Sequence, residues 1–164
     1  MRKKRKKKTK TEVETPSISK LKTARIPTDY PDLLGAAWAK ASELIKKKPE
    51  YWEDLQTIHS IGQGVLSGQY QLWFMYDEES GIKAVMVTLL VSFPAQKVLE
   101  VIAVAGIDVV NNIDQLEVVE KWAANQGATM ALFDGRVGWK KALAERGYEM
   151  KRVIYSRKLE AETV

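Results

Sequence analysis

The chain has 164 residues, 45 % of them hydrophobic and 29 % charged, with one His and no Cys. That length fits one domain of ordinary size; the lack of Cys excludes disulfides, thiolate nucleophiles and Cys-held zinc or iron–sulfur sites, and a single His excludes a His-rich metal site. The net charge is +5, but eight of the 26 bases fall within residues 2–10, which leaves 18 bases against 21 acids elsewhere, so any attraction for polyanions belongs to the N-terminal stretch alone.

That stretch, Arg2, Lys3, Lys4, Arg5, Lys6, Lys7, Lys8 and Lys10, holds no acid and no aromatic residue. Residues 1–28 bury too little apolar surface to offset their ordering entropy and are expected to form a flexible arm, followed by one domain over residues 29–160. Six to eight engaged phosphates would weaken binding with salt at a log–log slope of about −5 to −7. Without aromatics the arm cannot stack on bases, so the expected contact is sequence-independent DNA binding or an acidic protein surface; a solubilising tail or a nuclear-localisation signal would share the composition. No apolar run reaches the ~18 residues needed to span a bilayer, so no membrane contact is expected.

Pro31 opens a predicted helix with Leu34, Trp38, Ala41, Leu44 and Ile45 at three- and four-residue spacing, closed by Lys46, Lys47 and Lys48. Pro49 is expected to start a shorter helix through Trp52, Leu55 and Ile58, and Gly62, Gly64 and Gly68 to make the next stretch a loop. Gln69–Tyr76 and Ile82–Ser92 read as an antiparallel hairpin turning at Asp77–Gly81. Residues 98–105 are apolar except for Glu100 and stop at Gly106, as expected for a strand covered on both faces. Asn111 or Asn112 is expected to cap a helix carrying Ile113, Leu116, Val119, Trp122 and Ala123, ending before Gly127. A strand from Thr129 to Phe133, a helix from about Val137 to Arg146 capped by Gly147, and a last strand from Tyr148 to Leu159 complete the reading.

Strand, helix, strand over residues 98–133 is the signature of a parallel crossover, and the whole order predicts an α/β fold: a mixed sheet with helices on both faces. In such a unit a ligand is expected where the central strand hands over to its helix, between Gly106 and Asp114.

The order of elements resembles the GNAT acyltransferase fold, and more narrowly small GNAT-like proteins of tailed bacteriophages. Gln69-Tyr70-Gln71-Leu72-Trp73, the Leu99–Gly106 strand with its Ala105-Gly106 ending, and Gly135-Arg136-Val137-Gly138-Trp139 followed by Leu143 and Gly147-Tyr148 carry the resemblance, which covers roughly residues 30–159. It implies acyl-CoA held at the end of the central strand by an Arg/Gln-x-x-Gly-x-Gly/Ala loop. Here the loop begins Gly106-Ile107-Asp108 and contains one glycine, no base and two acids, and residues 98–120 hold Glu100, Asp108, Asp114, Glu117 and Glu120 with no Lys or Arg. A pyrophosphate beside one such carboxylate meets repulsion of about 1–3 kcal/mol, against about 0.3–1 kcal/mol from a helix N-terminus, so the loop reads as degenerate.

The resemblance also implies a glutamate near Glu100 that takes a proton from an amine, and Tyr148 as a candidate acid toward a thiolate. Both positions have structural readings: Glu100 as a carboxylate in a polar notch of the sheet or paired with Lys83 or Lys97, Tyr148 as packing after a glycine cap. Arg136, between two glycines, is a possible anion contact or a partner of helix carbonyls and Trp139. Gly62-x-Gly64-x-x-x-Gly68 lacks the Lys-Ser/Thr ending of a phosphate loop, and His59 has no catalytic partner at a recognisable spacing.

The expected function is therefore a non-catalytic GNAT-like structural or assembly protein of a tailed-phage virion, working without a cofactor in the particle or the host cytoplasm. Its partners would be other phage structural proteins, in a multi-copy ring, with the arm on DNA. The alternative is an N-acetyltransferase that uses acetyl-CoA through a divergent loop, with Glu100 as base.

Overall fold

The computed structural model describes residues 21–47, 55–134 and 137–163. Five strands form one sheet in the order β1-β2-β3-β4-β5: Lys22–Arg25, Tyr70–Asp77, Gly81–Ser92, Lys97–Gly106 and Met130–Phe133. The first four pair antiparallel, and β5 pairs parallel to β4 from Val98–Met130 to Val101–Phe133. The sheet is mixed and flanked by helices, as the order of elements predicts.

Helix α1 spans Pro31–Lys46, with Pro31 where no N–H is needed and with Asp32 and Lys46 placed to complement the helix dipole. Its buried stripe is Leu34, Ala37, Ala41 and Ile45. Helix α2, Ile58–Leu66, joins α1 on one face of the sheet, over Leu72, Phe74, Val85, Val87, Ala103 and Ala105. On the other face α3, Leu116–Asn125, covers Trp73, Met75, Met86, Leu99 and Val101 with Leu116, Val119 and Ala123; Leu143 of α4, Lys140–Glu145, and Tyr148 pack at its margin. Two-residue alternation along β2–β4 sends neighbouring side chains to these two cores.

Five expectations are corrected. Within the span 1–28 assigned to a flexible arm, Lys22–Arg25 form the edge strand β1, whereas residues 1–20, with the basic cluster, lie outside the described residues. The glycine-rich stretch after residue 61 is not a loop. Thr57 and Ser60 form a reciprocal capping box, with Ser60 N–H on Thr57 Oγ1 at 3.0 Å and Thr57 N–H on Ser60 Oγ at 2.9 Å. Ile58 thus opens a helix instead of closing one begun at Pro49, and residues 48–54 lie outside the described residues. Gly62 and Gly64 are buried: a Cβ there would stand 2.6 Å from Trp38 Nε1 and 2.3 Å from the Tyr70 ring, so close packing outweighs the ~1 kcal/mol that each glycine costs a helix.

Neither Asn111 nor Asn112 caps α3. The chain enters it through a 3₁₀ turn, Val110–Gln115, and Asn112 Nδ2 donates to the Asp108 carbonyl at 2.8 Å. Finally, Tyr148–Leu159 is no strand, and residues 149–163 are exposed without regular structure. Val153, Ile154 and Tyr155 favour strand, but bases flank them on both sides, and among the described residues no neighbouring ladder receives them. Gly147, at φ +86°, ends α4 as expected.

Candidate functional site

The handover from β4 to α3 is built by Gly106. Its φ is +142°, and a Cβ would lie 2.3 Å from the Lys83 carbonyl oxygen and 2.4 Å from Ala84 Cα. Ile107 N–H then donates to the same Lys83 carbonyl at 3.0 Å. This glycine therefore lets β4 close against β3, a different task from cradling a phosphate. Asp108 follows in the left-handed region at φ +53°, and its carbonyl accepts the Asn112 N–H at 3.1 Å. The turn is further tied to the sheet edge by Thr23 Oγ1, which donates to Gln115 Oε1 at 2.9 Å.

The acids of this region divide into two sets. Glu117 pairs with Lys121 at 2.7 Å, which holds its carboxyl below the usual range, and Glu120 pairs with Arg146 at 3.0 Å. Asp108 and Asp114 are exposed at the turn with no ion pair among the described residues.

A second feature lies within β4 itself, before the turn. Between the pairs Val87–Ala103 and Thr88–Val101 the register of β3 and β4 slips, which leaves Ile102 as a bulged residue. Pairing of β4 with β5 stops at Val101. The two strands part at the bulge, and among the described residues no strand pairs with the β5-side flank of β4 from Ile102 onward.

Glu100 stands just before that parting. It is half-buried, lies opposite Leu89 and Leu132, and alternates with Leu99 and Val101, so it faces the α1/α2 side of the sheet. Neither lysine suggested as its partner pairs with it: Lys97 Nζ donates to the Gln126 carbonyl at 2.7 Å, and Glu100 has no hydrogen bond or ion pair among the described residues.

Tyr148 lies on the opposite side. Its hydroxyl donates to Glu120 Oε1 at 2.9 Å, and burial, reinforced by the Glu120 charge, pushes its pKa up from the usual 10.0. The sheet lies between Glu100 and Tyr148, so the structure does not bring the two candidates together. Arg136 and the basic arm residues lie outside the described residues, while Trp139 packs on Phe133 with centroids 5.2 Å apart. His59 is exposed in the first turn of α2. A broad apolar hollow of about 550 Å³ lies at the far end of the sheet, between Ala24, Phe74, Tyr76 and Ile82, away from Glu100.

The flank of β4 beyond Val101 fits an extended, amide-bearing arm such as that of coenzyme A, because it is a strand flank without a strand neighbour. The turn does not fit the phosphate end of that cofactor, since its glycine is engaged with β3 and its exposed side chains include two carboxylates. Glu100 stands out in the sequence as the one carboxylate of an apolar run, whereas the bulge at Ile102 does not, because an apolar residue inside that run gives no signal. Among the described residues no cluster of His, Asp or Glu could hold a metal, and no helix is long and apolar enough to cross a membrane.

No family model matches the chain, and no curated protein matches it in sequence. Its fold is shared with solved acetyltransferases. An aminoglycoside acetyltransferase from an uncultured soil metagenomic sample superposes with a TM-score of 0.58 at 8 % identity, covering 85 % of this chain and 97 % of that one. Glucosamine-6-phosphate N-acetyltransferase from Arabidopsis thaliana gives 0.54 at 13 % identity, over 85 % and 99 %. An acetyltransferase from Trypanosoma brucei gives 0.57 at 9 % identity, over the same shares. The architecture is GNAT-like.

Proposed function

We propose that this chain is an acyl-CoA-dependent N-acyltransferase in which Glu100 is the general base. The observation that carries the reading is Glu100 itself: a half-buried carboxylate on the central strand, without an ion pair among the described residues, immediately before the place where β4 and β5 separate. The likeness of the fold to acetyltransferases supports it.

The donor, acetyl-CoA, would supply an acyl group activated as a thioester. Glu100 would accept the proton of an amine acceptor on the α1/α2 side of the sheet, so that the nitrogen lone pair forms the N–C bond as the C–S bond breaks and coenzyme A leaves as a thiolate, to be protonated by water. The flank of β4 after Ile102 would offer backbone groups to the donor's amide arm, while the turn at Asp108 and Asp114 supplies no group for its phosphates. Acetyl-CoA at a hundredfold excess over its Kd should stabilise the protein by about 2.7 kcal/mol in a thermal melt. Glu100→Gln should keep that shift and lower kcat about 10²–10⁴-fold.

The acid-bearing turn favours a second reading, a GNAT-fold scaffold that binds no cofactor. In its fullest form this is a phage structural protein whose residues 2–10 hold DNA. No melting shift at millimolar acetyl-CoA would select the scaffold. Loss of salt-sensitive DNA retention on deleting residues 2–10, with the melt unchanged, would assign the arm its ligand; retention that survives the deletion would refute that assignment.

A further inference from the structure

The hollow at the far end of the sheet is built by three strands. Ala24 and Ile26 wall it at the β1 edge, Phe74, Tyr76 and Ile82 floor it, and its volume is about 550 Å³. Ile26, Phe74 and Ile82 belong to the core on the α1/α2 side, so the hollow lies on that face. At its corner by Gly81 an added Cβ would meet nothing within 4 Å. The rim is acidic. Asp77 Oδ1 accepts the Glu79 and Ser80 N–H groups at 2.8 and 3.1 Å, which fixes the β2–β3 turn, and Lys22 Nζ pairs with Glu78. Glu79 is exposed and has no ion pair among the described residues.

The chain itself supplies a segment at this mouth. Lys22 opens β1 opposite Tyr76, so residues 1–20, outside the described residues, join the sheet at the end where the hollow lies. Thr11-Glu12-Val13-Glu14-Thr15 alternates β-favouring with charged residues, the pattern of a stretch with one face on an apolar surface and the other in water. Pro16-Ser17 offers turn chemistry between that stretch and β1. Ile18 stands four residues before Lys22, within about 13 Å of chain. Lys20 falls on the same side as Lys22 if the alternation of β1 continues, which brings a second base to the acidic turn.

We propose that residues 11–20 fold back across this hollow, with Ile18 and Val13 seated on Phe74, Tyr76 and Ile82 and with Lys20 against the acids of the β2–β3 turn. Glu12 and Glu14 then face water. A segment tethered a few residues away meets the hollow at an effective concentration on the order of millimolar, which a second copy or a free partner must exceed to displace it. The seat leaves the basic cluster at residues 2–10 clear of the hollow, held near one end of the sheet and open to a polyanion. The inference is independent of the role of Glu100, because the hollow and the segment are present whichever function that carboxylate serves.

The test uses the full chain. Val13→Asp and Ile18→Asp should each lower the melting midpoint by about 2–4 °C, whereas deleting residues 2–10 should leave it unchanged. Trapping gives a second readout. The natural chain has no Cys, so Ile18→Cys can be combined with Ile82→Cys in the hollow, or with Val118→Cys, exposed on α3 across the sheet. Under mild oxidation the first pair should bridge at single-chain mass, at least about tenfold faster than the second. Equal rates for the two pairs would overturn the proposal. So would a bridge from the first pair at twice the chain mass alone, which would give the hollow to a second copy, or melting midpoints indifferent to both aspartates.

Discussion

Tyr148 and Glu120 are 28 residues apart in sequence, and the hydroxyl of one donates to the carboxylate of the other at 2.9 Å. The second oxygen of Glu120 takes Arg146 Nη2 at 3.0 Å, so one carboxylate on α3 holds both residues that flank the Gly147 turn. Arg146 Nε is buried and makes no hydrogen bond among the described residues, so the ion pair with Glu120 is what binds that guanidinium to α3. This three-residue knot fixes the end of α4 against α3 and sets where the C-terminal segment departs.

Removing either side of the knot should therefore be measurable in denaturant. Tyr148→Phe keeps the ring in the α3-side core and loses one hydrogen bond to a charged group, which should cost about 1–2 kcal/mol. Glu120→Ala should cost more, about 2–3 kcal/mol, because it strips the counter-charge from Arg146, whose side chain is 18 % exposed. Urea midpoints at pH 7 would check the order; equal losses would contradict it.

The same contact has a pH signature. Burial and the Glu120 charge push the Tyr148 pKa above 10.0, so in the unfolded chain this hydroxyl ionises first as pH rises. The unfolded state then binds fewer protons than the native state, and the slope of stability against pH is negative from about pH 10 upward. The stabilisation is fully present below that pH and is lost on going higher. Tyr148→Phe should therefore flatten the alkaline limb of the stability profile while leaving the region from pH 6 to 8 parallel to the wild type.

The central strand is legible in sequence because a strand covered on both faces is apolar without regard to alternation, and residues 98–105 break that rule only at Glu100. The same residue is legible as a site candidate for the same reason. What fixes its surroundings is not local. The bulge at Ile102 and the short pairing of β5 emerge only when three strands are laid side by side. Gly62 and Gly64 read as breakers because helix propensity is a property of one segment, whereas their role is to admit Trp38 and the Tyr70 ring from other segments. Lys22–Arg25 offers only four residues and no alternation, so its pairing with β2 decides its structure. Tyr148–Leu159 errs the other way, since β propensity is present and a ladder partner among the described residues is not.

Glycine positions give opposite outcomes for one and the same substitution. Gly106→Ala puts a methyl group against the backbone of Lys83 and Ala84 at a φ that disfavours side chains, and should cost about 2–4 kcal/mol. Gly35→Ala lies inside α1, has nothing within 4 Å of the added Cβ, and should stabilise by about 0.5–1 kcal/mol. Thermal melts of the two variants beside the wild type would check both signs. Loss of stability in Gly35→Ala would mean that α1 is not the uninterrupted helix described.

A buried polar relay between β2 and β3 supplies the last test. Trp73 Nε1 donates to Thr88 Oγ1 at 2.9 Å, and Thr88 Oγ1 donates to Gln71 Oε1 at 3.0 Å, with Thr88 fully buried. The relay ties β3 to β2 at the point where the β3–β4 register slips. Thr88→Val conserves shape, leaves the Trp73 indole N–H without an acceptor in a closed core, and should cost about 1–3 kcal/mol. Thr88→Ser keeps the acceptor and loses only a methyl group, so it should fall between the valine variant and the wild type. If valine is as stable as threonine in urea unfolding, the indole has found another acceptor, and the indole nitrogen–proton resonance of Trp73 would report the change directly.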